Sequence, residues 1–258
     1  MLVAGKTDRG REREINEDNY IIHTDSPLKI MAVADGMGGH AAGEIASRLA
    51  INVLRKFIED KKNLTDDLNS EELKKLAIEL IHKANDHIIK EGCIHSEFYG
   101  MGTTLTLALI KDDILIIGHI GDSRAYLINK TQIRQLTEDH SLVVELVKNG
   151  QINKEEAANH PQRHILTRAL GTSRLPEPDV YHYSISEEDH LLLCTDGLTS
   201  LVEPEELHRA IIEKSENPHL AVDFLIDLAN QRGGYDNITV ALVSRLGGSV
   251  KDADRETS

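Results

Sequence analysis

Five aspartates stand where apolar, strand-like runs stop. Asp35 ends Ile30-Met31-Ala32-Val33-Ala34 and opens Gly36-Met37-Gly38-Gly39-His40. Asp122 follows the apolar run to Ile120-Gly121, and Asp196 ends Leu191-Leu192-Leu193-Cys194-Thr195 and precedes Gly197. Asp236 lies in Gly233-Gly234-Tyr235-Asp236-Asn237 just before one β-like run, and Asp18 lies in Asn16-Glu17-Asp18-Asn19 just before another. A carboxylate at the rim of a buried strand is held rigidly yet reaches solvent. Several that converge repel one another unless protons or cations compensate them. Hard divalent cations take oxygen ligands, and magnesium and manganese accept water in their remaining positions. A flanking glycine allows close backbone approach and frees a carbonyl for coordination. A single Asp-Gly is an ordinary turn, but five such aspartates at strand edges point to a divalent-metal site.

Arg13 stands just ahead of Asp18. Its planar fork suits two phosphate oxygens at once. If Asp18 reaches a metal, Arg13 can serve the same pocket; with Arg9 and Arg11 beside it, a solvated surface charge is the alternative. Gly36-x-Gly38-x-x-Ala41 has the spacing of a dinucleotide fingerprint. Asp35 argues against that use, because it would face a pyrophosphate directly, and no βαβ series follows. His40 is the histidine nearest this loop, either a general acid or a local hydrogen-bonding group in the glycine turn. Cys194, inside an apolar run with nothing beside it to stabilise a thiolate, reads as a small buried hydrophobe.

The elements that must carry these residues follow from periodicity. Strands are predicted over 2–6, 20–23, 28–34, 103–110, 114–120, 123–128, 133–136, 180–185, 191–195 and 238–244, and helices over 43–59, 70–91, 205–214 and 219–231. Ser70 is the expected N-cap of the second helix. Residues 141–159 form a polar, helix-prone region. Strand runs and helix pairs are segregated, which argues for α+β layering with helices outside antiparallel sheets.

Composition sets the remaining bounds. The 258 residues are 40% hydrophobic and 28% charged, with no Trp and only three Phe, so a globular core must be filled by Leu, Ile, Val and Ala. A net charge of −14 gives no electrostatic reason to seek nucleic acid or an anionic membrane. Two or three divalent cations would offset about four to six of those charges. Two distant cysteines make no disulfide framework, and no apolar run approaches the roughly 20 residues of a membrane span. With no signal peptide at the N-terminus, a cytoplasmic protein, expected to be a monomer, is the reading. Residues 247–258, Gly-rich and then wholly polar, are expected to be a disordered tail.

Taken together, the motifs resemble the metal-dependent Ser/Thr protein phosphatases of type 2C, the PPM family, in its compact bacterial branch. The matching stretches run in family order over residues 1–244. They are Thr7-Asp8-Arg9-Gly10 with Arg13 and Asn16-Glu17-Asp18, then Val33-Ala34-Asp35-Gly36-Met37-Gly38-Gly39-His40. Met101-Gly102-Thr103-Thr104 and His119-Ile120-Gly121-Asp122-Ser123-Arg124 follow. Next come His160-Pro161-Gln162-Arg163 with Arg168-Ala169-Leu170-Gly171, then Cys194-Thr195-Asp196-Gly197-Leu198 and Gly234-Tyr235-Asp236-Asn237-Ile238-Thr239.

The resemblance implies a four-layer αββα sandwich, with two central antiparallel sheets flanked by helix pairs, and a catalytic domain over 1–246 with a flap at about 141–175. It implies hydrolysis of phosphoserine and phosphothreonine in proteins by a water activated by two bridged Mn2+ or Mg2+ ions. Asp35 would bridge the ions, joined by the Gly36 carbonyl, Asp196 and Asp236. Asp18 would hold a metal-bound water or touch a metal, with Glu17 as a second candidate. Asp122 with Asp196 would hold a weaker third ion, and Arg13 would clamp the phosphate. Phosphorylated proteins are the implied partners, with a cognate Ser/Thr kinase beside them. Two positions depart from the family pattern. Tyr235 stands where proline or arginine is common and need not be a ligand. His140-Ser141 stands where some relatives carry acidic residues.

Overall fold

A computed structural model describes residues 1–38, 42–60 and 68–246. The chain opens with β1 (Leu2–Asp8), β2 (Asp18–His23), β3 (Lys29–Met37), α1 (Ala42–Asp60) and α2 (Ser70–Ile94). A single 3-10 turn, Ser96–Phe98, leads to β4 (Gly102–Thr103), β5 (Leu105–Lys111), β6 (Ile114–Ile120), β7 (Arg124–Ile128) and β8 (Ile133–Gln135). Two short helices, α3 (Leu142–Lys148) and α4 (Lys154–Ala158), precede β9 (Asp179–Ser184) and β10 (His190–Cys194). The last elements are α5 (Asp196–Thr199), α6 (Pro204–Glu213), α7 (Pro218–Gln231) and β11 (Ile238–Ser244).

Among the described residues the strands make two antiparallel sheets, one in the order β1-β11-β10-β7-β8 and one in the order β2-β3-β5-β6-β9 with β4 beside β3. The period-two alternation of strand side chains sorts each sheet into two faces. On β3, Ile30, Ala32 and Ala34 join α1 and α2, while Met31 and Val33 meet the other sheet. On β10, Leu192 and Cys194 join α6 and α7, while Leu191 and Leu193 face inward between the sheets. Three apolar layers result, and the four-layer αββα sandwich follows from them.

The inner layer turns polar at one end, and that end carries the chemistry. Continuing the same alternation, Asp35 follows Met31 and Val33, Thr106 precedes Ala108 and Ile110, and His119 follows Leu115 and Ile117. Thr195 follows Leu191 and Leu193, and Thr239 precedes Ala241 and Val243. The two sheets are therefore glued by aliphatic side chains along most of their length and open into a polar mouth.

Several boundaries differ from the periodicity reading, each for a local reason. Ser70 is the first helical residue of α2, and its cap is Asn69, whose side chain accepts from the Glu71 and Glu72 amides while Glu72 returns to the Asn69 amide. That is a reciprocal capping box, which an Asn three residues before a Glu signals as well as a Ser does. β3 does not stop at Ala34 but runs through Asp35 to Met37, because Gly36 and Met37 pair with Thr103 and Gly102 of β4. The predicted 103–110 strand is broken at Thr104, whose amide donates to the Asp35 carbonyl at 2.8 Å. The 141–159 region is two helices divided at Gly150, which takes φ +68°.

Candidate metal centre

Asp18 and Asp35 are directly opposed partners on β2 and β3, so their side chains share one face. Asp196 opens α5 immediately after β10. Asp236 ends the turn after α7, and Asp122 lies in the turn between β6 and β7. All five expected aspartates thus come to the polar mouth, where Asp35 meets the charges of Asp18, Asp196, Asp122 and Asp236 at once. Asp18 is buried at 4% exposure, and the other four are half-buried.

At Asp18, Asp35, Asp122 and Asp196 burial is the largest cause of a raised pKa, and mutual repulsion adds to it. Asp18 is pushed up to about 7, although hydrogen bonds from Thr239 and Thr195 act against the shift. Asp196 is raised to about 6 by burial and then by Asp236. Asp35 rises well above its ordinary value through burial and then Asp18, Asp196, Asp122 and Asp236; Asp122 rises likewise through burial, Asp196 and Asp139. Oδ1 of Asp18, Oδ1 of Asp196 and Oε1 of Glu17 are buried without a hydrogen-bond partner. Unpaired buried carboxylate oxygens beside further carboxylates are what a hard cation would satisfy. The donor set therefore fits Mn2+ or Mg2+. No three His, Cys, Asp or Glu side chains among the described residues form a complete set for one ion. An ion held here would take further oxygens from backbone carbonyl and water, as magnesium and manganese tolerate.

The backbone around Asp35 is built for close approach. A side chain on Gly36 would collide with the Gly43 and Glu17 carbonyls, and the Gly36 amide donates to the Glu17 carbonyl at 3.2 Å. Glu17, the alternative to Asp18, turns its carboxylate to the Gly43 and Glu44 amides in the first turn of α1. It thereby caps a helix N-terminus, where a carboxylate is favoured, and still leaves Oε1 unpaired.

Arg13 lies on the same rim: its Nη2 donates to Asp236 Oδ2 at 2.7 Å, with its side chain 48% exposed. Tyr235, next to it in the turn, is 64% exposed with its ring against Gly233. His40 lies outside the described residues, as does the 247–258 tail.

The Asp122 turn is held on both flanks. Arg124 does not pair with Asp122; its guanidinium grips Asp139 bidentately, at 2.9 Å from Nε and 2.6 Å from Nη2. The Gly121 amide donates to His140 Nδ1 at 3.1 Å, and the His140 amide donates to the Gly121 carbonyl at 2.7 Å. Accepting at Nδ1, His140 carries its proton on Nε2, 3.2 Å from Asp179 Oδ2, whose Oδ1 accepts from Arg168 at 2.9 Å. Burial lowers both His140 and its neighbour His119, the latter to about 3. These imidazoles are neutral struts between the turn and the expected flap, not acids. His140 therefore supplies no acidic ligand where some family members carry one.

Periodicity drew no attention to the residues that hold the carboxylates. Thr104 Oγ1 accepts from the Asp35 amide at 2.9 Å and pairs with Ser123 Oγ at 2.8 Å. Thr195 Oγ1 donates to Asp18 Oδ2 at 2.8 Å. His164, from the expected flap, lies close enough to lower the Asp196 pKa. The signal for the threonines was their parity with the inner-layer aliphatics.

Comparison with known proteins bears on the family and the fold. The protein phosphatase 2C family model matches residues 7–240. The serine/threonine phosphatase stp of Listeria innocua is 42% identical over 246 residues, covering 95% of this chain and 96% of that protein. The crystal structure of Stp1 from Staphylococcus aureus superposes with a TM-score of 0.86 at 35% identity, covering 94% of each chain. The catalytic domain of the phosphatase PstP, solved with two manganese ions, superposes with a TM-score of 0.78 at 34% identity, covering 94% of this chain and 97% of that one. With the family model matched over most of its length and the fold shared, the chain belongs to the protein phosphatase 2C family.

Proposed function

We infer that this chain removes phosphate from phosphoserine and phosphothreonine in proteins, with two Mn2+ or Mg2+ ions held by Asp35, Asp196, Asp236 and the Gly36 carbonyl and with Asp18 reaching an ion or its water. The observation that carries the reading is the convergence of five carboxylates, two with unpaired buried oxygens, on a rim that also presents Arg13. Bound there, such ions lower the pKa of water and neutralise charge on a phosphoryl group. The chain's own groups do the rest. Arg13 offers a fork to the phosphoryl oxygens, and the buried threonines fix the carboxylates before substrate arrives. Cys194, fully buried and raised to about 12 by that burial, is no nucleophile. His40 is the candidate to protonate the leaving serine or threonine oxygen. Release of phosphate from a phosphothreonine peptide should require manganese and stop with chelator; a chain inert with manganese present would overturn the reading.

Residues 141–175 are proposed as the flap that meets the substrate protein, and a Ser/Thr kinase acting on the same proteins is the natural counterpart. A monomer is proposed. Among the described residues no helix is long and apolar enough to cross a membrane, and free thiols at Cys93 and Cys194 suit the reducing cytoplasm.

Replacing Arg13 by Ala should raise KM for a phosphopeptide about 10- to 100-fold, the worth of a charge-assisted pair. Manganese affinity should hold or rise, since Asp236 loses its competing cation. Calorimetry showing lost manganese binding with KM unchanged would contradict the clamp.

Asp122, with Asp196, is proposed to hold a third, weaker ion. Because Asp139 and His140 fix the flanks of its turn, Asp122→Ala should keep its melting temperature. It should retain two manganese sites by titration calorimetry, lose the weakest, and turn over more slowly. An unaltered manganese activation curve would leave Asp122 as a turn residue only.

A further inference from the structure

We propose that Asn237 is the positioning residue for Arg13, acting by drawing together both ends of the loop that carries it. This rests on the phosphate-binding reading of Arg13. Asn237 is 4% exposed. Its Nδ2 donates to the Arg9 carbonyl and to the Ile15 carbonyl, each at 2.9 Å. Its Oδ1 accepts from the Glu17 amide at 2.8 Å. One side-chain amide thus closes residues 9–15 into a ring with Arg13 inside it, and ties the strand that bears Asp18 to the same point.

The pattern fixes the amide's orientation: two carbonyls can only accept and one amide can only donate. It also explains why no other side chain serves. Aspartate has the acceptor but would set an oxygen against two carbonyl oxygens. Serine cannot reach both loop ends. Hydrophobic residues of that size would leave two carbonyls and an amide unpaired in a buried place.

The loop's other ties lie on either side of Arg13: the Glu12 amide donates to the Gly234 carbonyl at 3.3 Å, and Arg9 Nη1 donates to the Glu14 carbonyl at 3.3 Å. The Arg11 amide donates to the Gly234 carbonyl at 2.7 Å, and Gly10, at φ +79°, lets the chain pass against the Asp236 carbonyl. Both hold the loop's first half. Beyond Arg13, the Ile15 carbonyl is tied to the Asn237 side chain at 2.9 Å. The Asn237 amide N–H meanwhile donates to Asp236 Oδ1 at 2.8 Å, while Arg13 takes Oδ2 at 2.7 Å. Asn237 thus registers the phosphate clamp against a carboxylate of the metal centre. Misplacing a binding group by about 1 Å can cost about 100-fold, so a loosened loop is expected to act as a lost clamp.

The test is a double-mutant cycle of Asn237→Ala and Arg13→Ala in the manganese-loaded protein. Asn237→Ala should raise KM for a phosphothreonine peptide, and the inhibition constant of inorganic phosphate, by about 10-fold or more, with kcat changed far less. In the Arg13→Ala background it should change neither further. Hydrogen exchange of residues 9–15 should quicken in Asn237→Ala without any substrate. An effect that persists in the Arg13→Ala background, or unchanged loop exchange, would overturn the proposal. Should the alanine variant fail to fold, Asn237→Ser is read in the same way. A parent protein that releases no phosphate with manganese would instead overturn the phosphatase reading and leave the exchange result to judge Asn237.

Discussion

Asp35→Asn is expected to lower manganese-dependent turnover by about 1,000-fold or more and, in the same protein stripped of metal, to raise its stability at neutral pH. The first effect follows from position. Asp35 feels Asp18, Asp196, Asp122 and Asp236 at once, so it stands at the centre of the carboxylates that an ion held there would meet. Metal-ion catalysis supplies several kcal/mol of charge stabilisation, and each 1.36 kcal/mol is tenfold in rate. The second effect follows from what the backbone does without the side chain. Thr103 Oγ1 and the Thr104 amide donate to the Asp35 carbonyl at 2.8 Å each, and Thr104 Oγ1 accepts from the Asp35 amide. None of these needs the carboxylate. Asparagine keeps its volume and removes a charge from a crowded, poorly solvated place. Thermal melts in chelator read one effect and phosphopeptide turnover reads the other. A variant that turns over normally, or melts lower without metal, would refute the assignment.

The strand-edge aspartates were legible because alternation and composition write them plainly: an aliphatic run must stop somewhere, and an acidic residue at its end is visible in one dimension. The two-sheet sandwich was legible for the same reason, since odd and even positions of β3, β10 and β11 are both apolar and demand cover on both faces. What holds the carboxylates was not. Asn237 reaches carbonyls more than two hundred residues away in sequence, and nothing near it in the chain reports that. Thr104 and Thr195 differ from ordinary strand threonines only in what lies across the gap between sheets. The break at Thr104 and the extension of β3 to Met37 arise from pairing with β4, a contact of two residues that carries no periodicity. Helix starts failed differently: Asn69 satisfied the capping rule as well as Ser70 did, and the returning Glu72 decides between them.

Between about pH 6.5 and 7.5 the metal-free protein is expected to lose stability as pH rises, against the usual behaviour of acidic residues. An aspartate free in the unfolded chain titrates near 3.9, whereas Asp18 titrates at about 7, Asp196 at about 6, and Asp35 and Asp122 higher than their ordinary value. Above pH 4 the unfolded chain has released these protons and the folded chain has not. The folded state then binds more protons, so stability falls with rising pH until the folded groups also ionise. Each retained proton contributes a slope of about 1.4 kcal/mol per pH unit. Buried histidines act in the opposite sense. His119, lowered to about 3, and His140 and His190, also lowered, refuse protons that the unfolded chain accepts below about 6.5, so they penalise the folded state only on the acid side. Asp179, held at about 2 by its bonds to Arg168, His140 and Tyr181 against its own desolvation, likewise loses its contribution only as pH falls below about 4. Above about 6.5 the unfolded histidines hold fewer than half of their protons, and their opposition to the carboxylates fades. Urea midpoints in chelator should therefore fall from pH 6.5 to 7.5. Saturating manganese should flatten the slope by pairing the carboxylates in the folded state, and Asp35→Asn should flatten it in part without metal. A chelated protein whose midpoint rises across that window would mean that the carboxylates of the mouth are already ionised and compensated from within the chain.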